Sequence, residues 1–275
     1  MGLALCRPAR MLGAEPFFME LISGIETELA TRGCALLLQV VTDPVQEVEV
    51  YDRWWGEGRV DGVFLADVRS PDPRIEGVAG LGMPAVVIGH PPPAAGSLTP
   101  VWSDDSAALR DTLTYLAALG HRSVARVAGL PELIHTQLRD RAQREISAEL
   151  GLDEPVVIHT DYSGEEGAHA TRRLVSATAR PTAVIYDNDI MAVAGFSVAQ
   201  EMGRDVPADL SLVAWDDSQP SRVVRPALTA LSRDIPAYGT HAARTLLAMV
   251  DDGSAPGFQD ATARLVPRGS TAPPR

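Results

Sequence analysis

The sequence predicts an α/β protein with two parallel sheets, each covered by helices. Short apolar runs of strand length alternate with longer stretches in which apolar residues recur at helical spacing. This alternation occurs twice, and the second set begins after Gly120. A chain of 275 residues also favours two lobes over one, because domains cluster at roughly 100 to 150 residues.

The first set covers the N-terminal part of the chain. Proline suits the first helical position, where its missing N–H is not needed. Asp43 and Gln46 resemble a capping box, in which side chains bind the unpaired N–H groups of the first turn. We predict strands at residues 3–6, 34–41, 60–65 and 85–88, and helices from Pro16, from Pro44, within residues 72–82 and up to Leu119.

The second set repeats the pattern, and Ser163 with Glu166 forms another capping box. We predict strands at residues 124–128, 156–159, 183–186 and 212–214, helices near residues 133–150, 163–178 and 188–202, then a helix at about 236–250 and a last strand near 263–266.

Two predicted strands end abruptly in polar residues. Val184-Ile185-Tyr186 leads into Asp187-Asn188-Asp189, and Leu212-Val213-Ala214-Trp215 leads into Asp216-Asp217. In open α/β sheets, ligands bind at the carboxyl ends of the strands. We therefore expect a ligand site at this edge of the sheet.

Composition predicts a soluble cytoplasmic protein without nucleic-acid affinity of its own. Apolar residues make up 45% of the chain, no run approaches the roughly 20 apolar residues of a membrane helix, and no secretory signal pattern opens the chain. The net charge of −12 opposes binding to phosphates. Cys6 and Cys34 are predicted to be free, buried thiols.

The sequence predicts a protein that is not an enzyme and that holds neither a metal nor a cofactor. It contains no nucleophile elbow, zinc-binding helix motif, P-loop or dinucleotide glycine fingerprint. Its histidines are scattered, and His121 is interpreted as structural. A hydrolase that uses Asp216 and Asp217 is the enzymatic alternative.

Several short segments together resemble the effector-binding core of the LacI/GalR family of bacterial transcription regulators. The resemblance covers essentially the whole chain and keeps the order of the family. The segments are Pro16-Phe17-Phe18, Val60-Asp61-Gly62-Val63, Leu119-Gly120-His121-Arg122, the two strand ends described above and Arg268-Gly269-Ser270-Thr271.

The resemblance implies a periplasmic-binding-protein-like fold with a ligand cleft between two lobes. Residues 1–102 plus 233–260 would form the N-terminal lobe, and residues 103–232 plus 261–275 the C-terminal lobe. Three crossover strands are expected near residues 101–104, 230–234 and 259–263. The resemblance also implies a homodimer. Operator DNA would be bound only through the helix-turn-helix headpiece of the family, which we expect to be absent from this chain.

Asp216 and Asn188 are the candidate ligand contacts that follow from the strand ends. A carboxylate at Asp216 can accept two hydrogen bonds from vicinal hydroxyls, although capping the next helix is an alternative role. Asn188 offers a donor and an acceptor, and it also suits the N-cap of the helix that contains Met191.

Arg139 stands where the family places an arginine in its cleft. The family pattern is Arg-x-x-Gly, and Ala142 replaces the glycine here. Because Arg141 and Arg144 lie close by, a solvated helix face is the alternative interpretation.

The remaining candidate contacts lie at other strand ends and at the first helix. The resemblance implies that Tyr162 stacks on the ligand and that one of Phe17 and Phe18 contacts it, with a surface tyrosine and core phenylalanines as alternatives. Asp67 and His90 follow predicted strands and are the last candidates, although such loop residues are commonly just solvated.

The predicted function is effector sensing in a transcriptional regulator. A small molecule would close the lobes of a dimer and thereby alter operator binding. The mixture of Asp, Asn, Arg and aromatic candidates favours a sugar, with a nucleoside left open. The alternative is a solute-binding protein of a sugar transport system, which shares the fold, but the Leu119-Gly120-His121-Arg122 and Arg268-Gly269-Ser270-Thr271 segments favour a regulator.

Overall fold

Parallel strands and covering helices build two separate units of the chain. The computed structural model describes residues 1–7, 15–91 and 98–275. The first unit comprises Met1–Ser103, Glu132–His135 and Asp234–Ala261, and the second comprises Asp104–Pro131, Thr136–Arg233 and Thr262–Arg275. Residues 132–135, which the predicted boundaries place in the C-terminal lobe, pack with the first unit, where Leu133 forms a bridge with Arg69.

The described part of the first unit contains a sheet of six strands in the order β11-β5-β4-β3-β1-β2, all parallel to their neighbours. Its strands are β1 (Gly2–Cys6), β2 (Leu37–Val41), β3 (Val63–Leu65), β4 (Ala85–Ile88), β5 (Thr99–Trp102) and β11 (Phe258–Gln259), and its helices are α1 (Pro16–Ala30), α2 (Pro44–Gly56), α3 (Pro73–Gly80) and α9 (Ile235–Asp252).

The second unit contains, in its described residues, a sheet in the order β12-β10-β9-β8-β6-β7, with only β12 antiparallel to its neighbour. Its strands are β6 (Val124–Ala128), β7 (Val157–His159), β8 (Ala183–Tyr186), β9 (Ser211–Trp215), β10 (Thr229–Ser232) and β12 (Arg264–Val266), and its helices are α4 (Asp105–Ala118), α5 (Ile134–Glu149), α6 (Gly164–Ser176), α7 (Asp189–Glu201) and α8 (Gln219–Val223).

These sheets confirm the predicted α/β class. The central strands are buried on both faces, which explains their continuous apolar sequences. The short strands β5, β10 and β11 were predicted only as crossover segments, and helix α8 was not predicted. The predicted strand at residues 34–41 begins at Leu37, because the N–H of Cys34 instead donates to Leu29 and closes helix α1.

The capping predictions are confirmed in part. Asp43 accepts hydrogen bonds from the N–H groups of Val45 and Gln46. Ser163 accepts one from Glu166, but the N–H of Ser163 donates to Asp161, so the return bond of a capping box is replaced. The prediction of buried thiols is wrong, since Cys6 and Cys34 are free but partly exposed.

The carboxyl-terminal segment and His121 have structural roles in the second unit. Ser270 is fully buried, donates to Leu212 and accepts from the N–H of Thr229, which ties the terminus to β9 and β10. The ring of His121 is hydrogen-bonded to Thr182 and to the carbonyl of Ala272. The structural interpretation of His121 is therefore confirmed.

Helices α1 and α9 approach closely through two glycines in the first unit. A Cβ atom at Gly24 would lie 1.9 Å from the carbonyl oxygen of Pro236, and one at Gly239 would lie 2.2 Å from that of Leu21. The two helices pack together against β1 and β4 in the core of this unit. Glycine is required here because any side chain would push the helix backbones apart.

We predict that Gly24→Ala lowers the free energy of unfolding by at least about 1 kcal/mol, because the added methyl group would overlap the backbone of the neighbouring helix. Gly80→Ala is the matched control, since a Cβ at Gly80 meets no atom within 4 Å. That control should be neutral or stabilising by up to about 1 kcal/mol. Urea unfolding of both variants measures the difference, and equal stabilities would contradict the close helix contact.

Candidate functional site

Three residues at strand ends adopt a backbone conformation that favours glycine. Among the described residues, the non-glycine residues with positive φ are Asp67 (50°), Tyr162 (69°) and Asp216 (75°). They follow the carboxyl ends of β3, β7 and β9, respectively. Side chains in this left-handed region are energetically unfavourable and cluster at functional sites. All three are candidates that the sequence analysis named.

Two carboxylates and one aromatic ring of the second unit contact the Arg139 guanidinium. The guanidinium forms an ion pair with Asp105 at 2.7 Å and another with Asp187 at 3.5 Å. The guanidinium carbon lies 3.7 Å from the centre of the Trp215 ring. Burial opposes the charge, but the two carboxylates outweigh it and raise the pKa of Arg139. The alternative of a solvated helix face is therefore wrong, because Arg139 is buried.

Asp216 lies directly after Trp215 and belongs to the same cluster. Its carboxylate is 3.5 Å from Arg233, and its side chain is 14% exposed. Burial raises the pKa of Asp216, while Arg233 and Arg139 act in the opposite direction. The capping alternative is wrong, since the N-cap residue of α8 is Ser218 and Asp217 instead pairs with Arg268 and Arg222.

Asn188 and Tyr162 are joined by a hydrogen bond. The Asn188 amide oxygen accepts from the N–H of Met191 at 2.9 Å, so Asn188 caps α7. Its amide nitrogen donates to the carbonyl of Tyr162 at 3.0 Å. The Tyr162 ring fills the space beside Gly129, where a Cβ would lie 1.8 Å from it. Tyr162 is therefore buried, and the surface alternative is wrong.

Asp189 is a buried carboxylate that the sequence analysis did not name as a site residue. Burial raises the pKa of Asp189 to about 6, and the negative charge of Asp216 acts in the same direction. Asp189 and Asp216 thus place two acidic groups with raised pKa values at neighbouring strand ends of one sheet.

A similar arrangement occurs at the carboxyl edge of the first sheet. Arg7 pairs with Asp67 at 2.7 Å and with Glu15 at 3.0 Å, and its guanidinium carbon lies 4.9 Å from the centre of the Phe18 ring. Burial opposes ionisation of Asp67, but Arg7 outweighs it and lowers the pKa to about 2. Phe18 is a core residue, whereas Phe17 remains partly exposed.

His90 is the other candidate of the first unit. It follows β4 and is partly exposed, and its ring packs against Trp102 with a centroid distance of 4.2 Å.

Several site residues escaped the sequence analysis. Arg7, Asp105, Arg126 and Asp187 complete the ion pairs but were not proposed as site residues. Arg7 directly follows β1, and Arg126 interrupts the apolar sequence of β6. A charged residue at the end of a strand or within a buried strand is therefore the sequence signal that could have identified these two residues.

Neither a group of metal ligands nor a membrane helix occurs among the residues that the structure describes. In the ranges that the structure describes, no group of three or more His, Cys, Asp or Glu side chains could hold a metal ion. None of the helices in those ranges combines the length and hydrophobicity that a membrane crossing requires.

Known proteins with similar sequences and structures are transcriptional regulators. The family model "Periplasmic binding protein-like domain" matches residues 113–271. The regulator AglR of Rhizobium meliloti (strain 1021) is 29% identical over 93% of this chain and 73% of its own length.

The solved structures agree with this assignment. A LacI family transcriptional regulator from Bifidobacterium animalis subsp. lactis is 39% identical, with a TM-score of 0.90 and coverage of 100% of this chain and 98% of its own. A complex of the transcriptional regulator CelR with cellobiose is 25% identical, with a TM-score of 0.89 and coverage of 98% and 83%. The chain therefore belongs to the LacI family of transcriptional regulators, of which it forms the effector-binding core.

Proposed function

We propose that this regulator senses a sugar at the carboxyl edge of the second sheet, with Asp216 as the main acceptor for ligand hydroxyls. The observation that carries the proposal is the Asp216 carboxylate, which a left-handed backbone holds beside Arg233 and the Arg139–Trp215 stack. A carboxylate accepts two hydrogen bonds from vicinal hydroxyls, each worth about 1.5–3 kcal/mol.

The surrounding residues favour a neutral ligand with many hydroxyls. Arg139 already forms ion pairs with Asp105 and Asp187, so an anionic ligand group would have to compete with those two carboxylates. The Trp215 ring, which is 1% exposed in the core of the second unit, holds the Arg139 guanidinium in place beside Asp216. The cellobiose complex of the related regulator CelR supports a carbohydrate.

Further ligand contacts are proposed for both units. Phe17, Asp67 and His90 lie at the carboxyl edge of the first sheet and retain exposed surface. Asn188 and Tyr162 remain proposed contacts of the second unit, where their mutual hydrogen bond also shapes the loop beside the site. Phe18 contributes as the ring beneath Arg7.

The effector would act by favouring one conformation of the regulator. A ligand shifts such an equilibrium only by the difference in its affinity for the two conformations. We do not propose a solute-binding protein of a sugar transport system, because the similar proteins are regulators. Sensing needs binding without chemistry, so we propose a cytoplasmic binding function and no enzymatic one.

We also propose a homodimer, and the exposed face of β2 is the surface we assign to the second copy. β2 is the edge strand of the first sheet, and Leu38 and Val40 are 41% and 38% exposed on one of its faces. Exposed apolar side chains on an edge strand mark a contact surface. A regulator that reads a two-fold operator needs such pairing.

We predict that Asp216→Ala weakens effector binding by about 30-fold or more, because about 2 kcal/mol of hydrogen bonding to ligand hydroxyls is lost. A thermal-shift panel of neutral mono- and disaccharides, including cellobiose and ribose, with nucleosides as a second set, first identifies the ligand. Calorimetric titration of wild type and variant then measures the affinities.

Asp217→Ala is the matched control for this experiment. Asp217 is the neighbouring carboxylate, but it pairs with Arg222 and Arg268 outside the proposed contact. The control should lower the melting temperature and leave affinity unchanged. Equal affinities of wild type and Asp216→Ala would refute the binding role, and a response to nucleosides alone would refute the sugar.

We predict that Leu38→Glu converts the dimer into a monomer, because the substitution places a charge on the apolar face of β2. Sedimentation at micromolar concentration measures the mass. Val156→Glu is the control, since Val156 is 49% exposed beside β7 at the edge of the other sheet. A dimer that survives Leu38→Glu would exclude the β2 face as the interface.

A further inference from the structure

A fully buried arginine lies within a strand of the second sheet. Arg126 is at the centre of β6 and is 0% exposed. Its guanidinium pairs with Asp140 and lies near the Thr136 carbonyl and the Gln143 side chain, all on one face of α5. The neighbours of Arg126 in β6 are apolar. An apolar residue at position 126 could fill the same space and would avoid the free-energy cost of burying a charge.

Asp187 connects Arg126 to the proposed ligand site. One carboxylate oxygen lies 3.0 Å from the Nε of Arg126, and the other lies 3.5 Å from a terminal nitrogen of Arg139. Asp187 is buried and directly follows β8. Asp187 therefore lies between the guanidinium groups of Arg126 and Arg139.

We propose that Arg126 is a positioning residue that, through Asp187, holds Arg139 on the Trp215 ring. The inferred effect on ligand affinity rests on the proposed function, whereas the effect on the position of Arg139 does not. Burying a charged pair generally brings little net stability compared with apolar packing. Control of the orientation of Arg139 gives this buried pair a role that an apolar pair could not fill.

The physical consequence of removing Arg126 follows from charge balance. Asp187 would lose one of its two arginines, and its charge would draw more strongly on Arg139. Arg139 also pairs with Asp105, so a pull toward Asp187 would change its angle on the Trp215 ring. Asp187→Asn removes the negative charge that holds Arg139 on that side, so Arg139 would shift toward Asp105 and also leave its present angle on the Trp215 ring.

The first test needs no ligand. The chain has four tryptophans, and the indole signal of Trp215 in a ¹⁵N-tryptophan spectrum is assigned by its loss in Trp215→Phe. Arg139→Met gives the position of that signal without the cation on the ring. We expect Arg126→Met and Asp187→Asn to move the Trp215 signal toward its position in Arg139→Met. Because Arg126→Lys keeps the charge, its Trp215 signal should lie between those of wild type and Arg126→Met.

Arg74→Met is the matched control for lost stability. Arg74 is also buried, at 1% exposure, and pairs with Asp72 and Glu47 in the first unit. Its loss should lower the melting temperature but leave the Trp215 signal in place. If Arg126→Met does not fold, Arg126→Lys and Asp187→Asn decide the question. A Trp215 signal that stays within the change seen for the Arg74 control would overturn the proposal.

The second test measures affinity for the sugar that gives the largest shift in the panel. Arg126→Met and Asp187→Asn should each weaken binding about tenfold, the size that supporting residues have at metal sites, while Gly24→Ala, which disturbs helix packing in the first unit, leaves it unchanged. A moved Trp215 signal with unchanged affinity would overturn the role in binding. If no sugar binds the wild type, the proposed function fails, and the Trp215 signal still decides the position of Arg139.

Discussion

The stacked and doubly paired Arg139 guanidinium is the interaction on which the candidate site depends. It joins α5 to the first residue of α4 through Asp105, to the end of β8 through Asp187 and to the end of β9 through Trp215. Because a buried cation is tolerated only when its charge is matched, each of these groups constrains the others. Asp216, with its strained backbone, directly follows Trp215 and is thereby attached to this fixed group.

The two units use the same physical solution at the carboxyl edges of their sheets. In each, an arginine lies over an aromatic ring and pairs with two carboxylates: Arg7 over Phe18 in the first unit, and Arg139 over Trp215 in the second. In each, an aspartate with a left-handed backbone follows a strand. In both units the ion pairs and the aromatic ring together fix the position of the guanidinium.

The sequence predicted those features that depend on local pattern. Continuous apolar runs located β4, β6 and β8 with their observed bounds, and polar residues after strands located Asp67 and Asp216. Contacts between distant residues were beyond reach: the bond from Asn188 to Tyr162 and the pairing of Arg126 with Asp187 depend on how neighbouring strands align. Short strands such as β11, with two residues, carry too little pattern to be recognised.

A crystal structure of the wild-type protein with the sugar that stabilises it most tests the account most directly. We expect ligand hydroxyls within hydrogen-bond distance of both Asp216 carboxylate oxygens, with Arg139 still on the Trp215 ring and donating to the same molecule. A sugar bound away from Asp216, or an Arg139 that has left Trp215, would contradict the account.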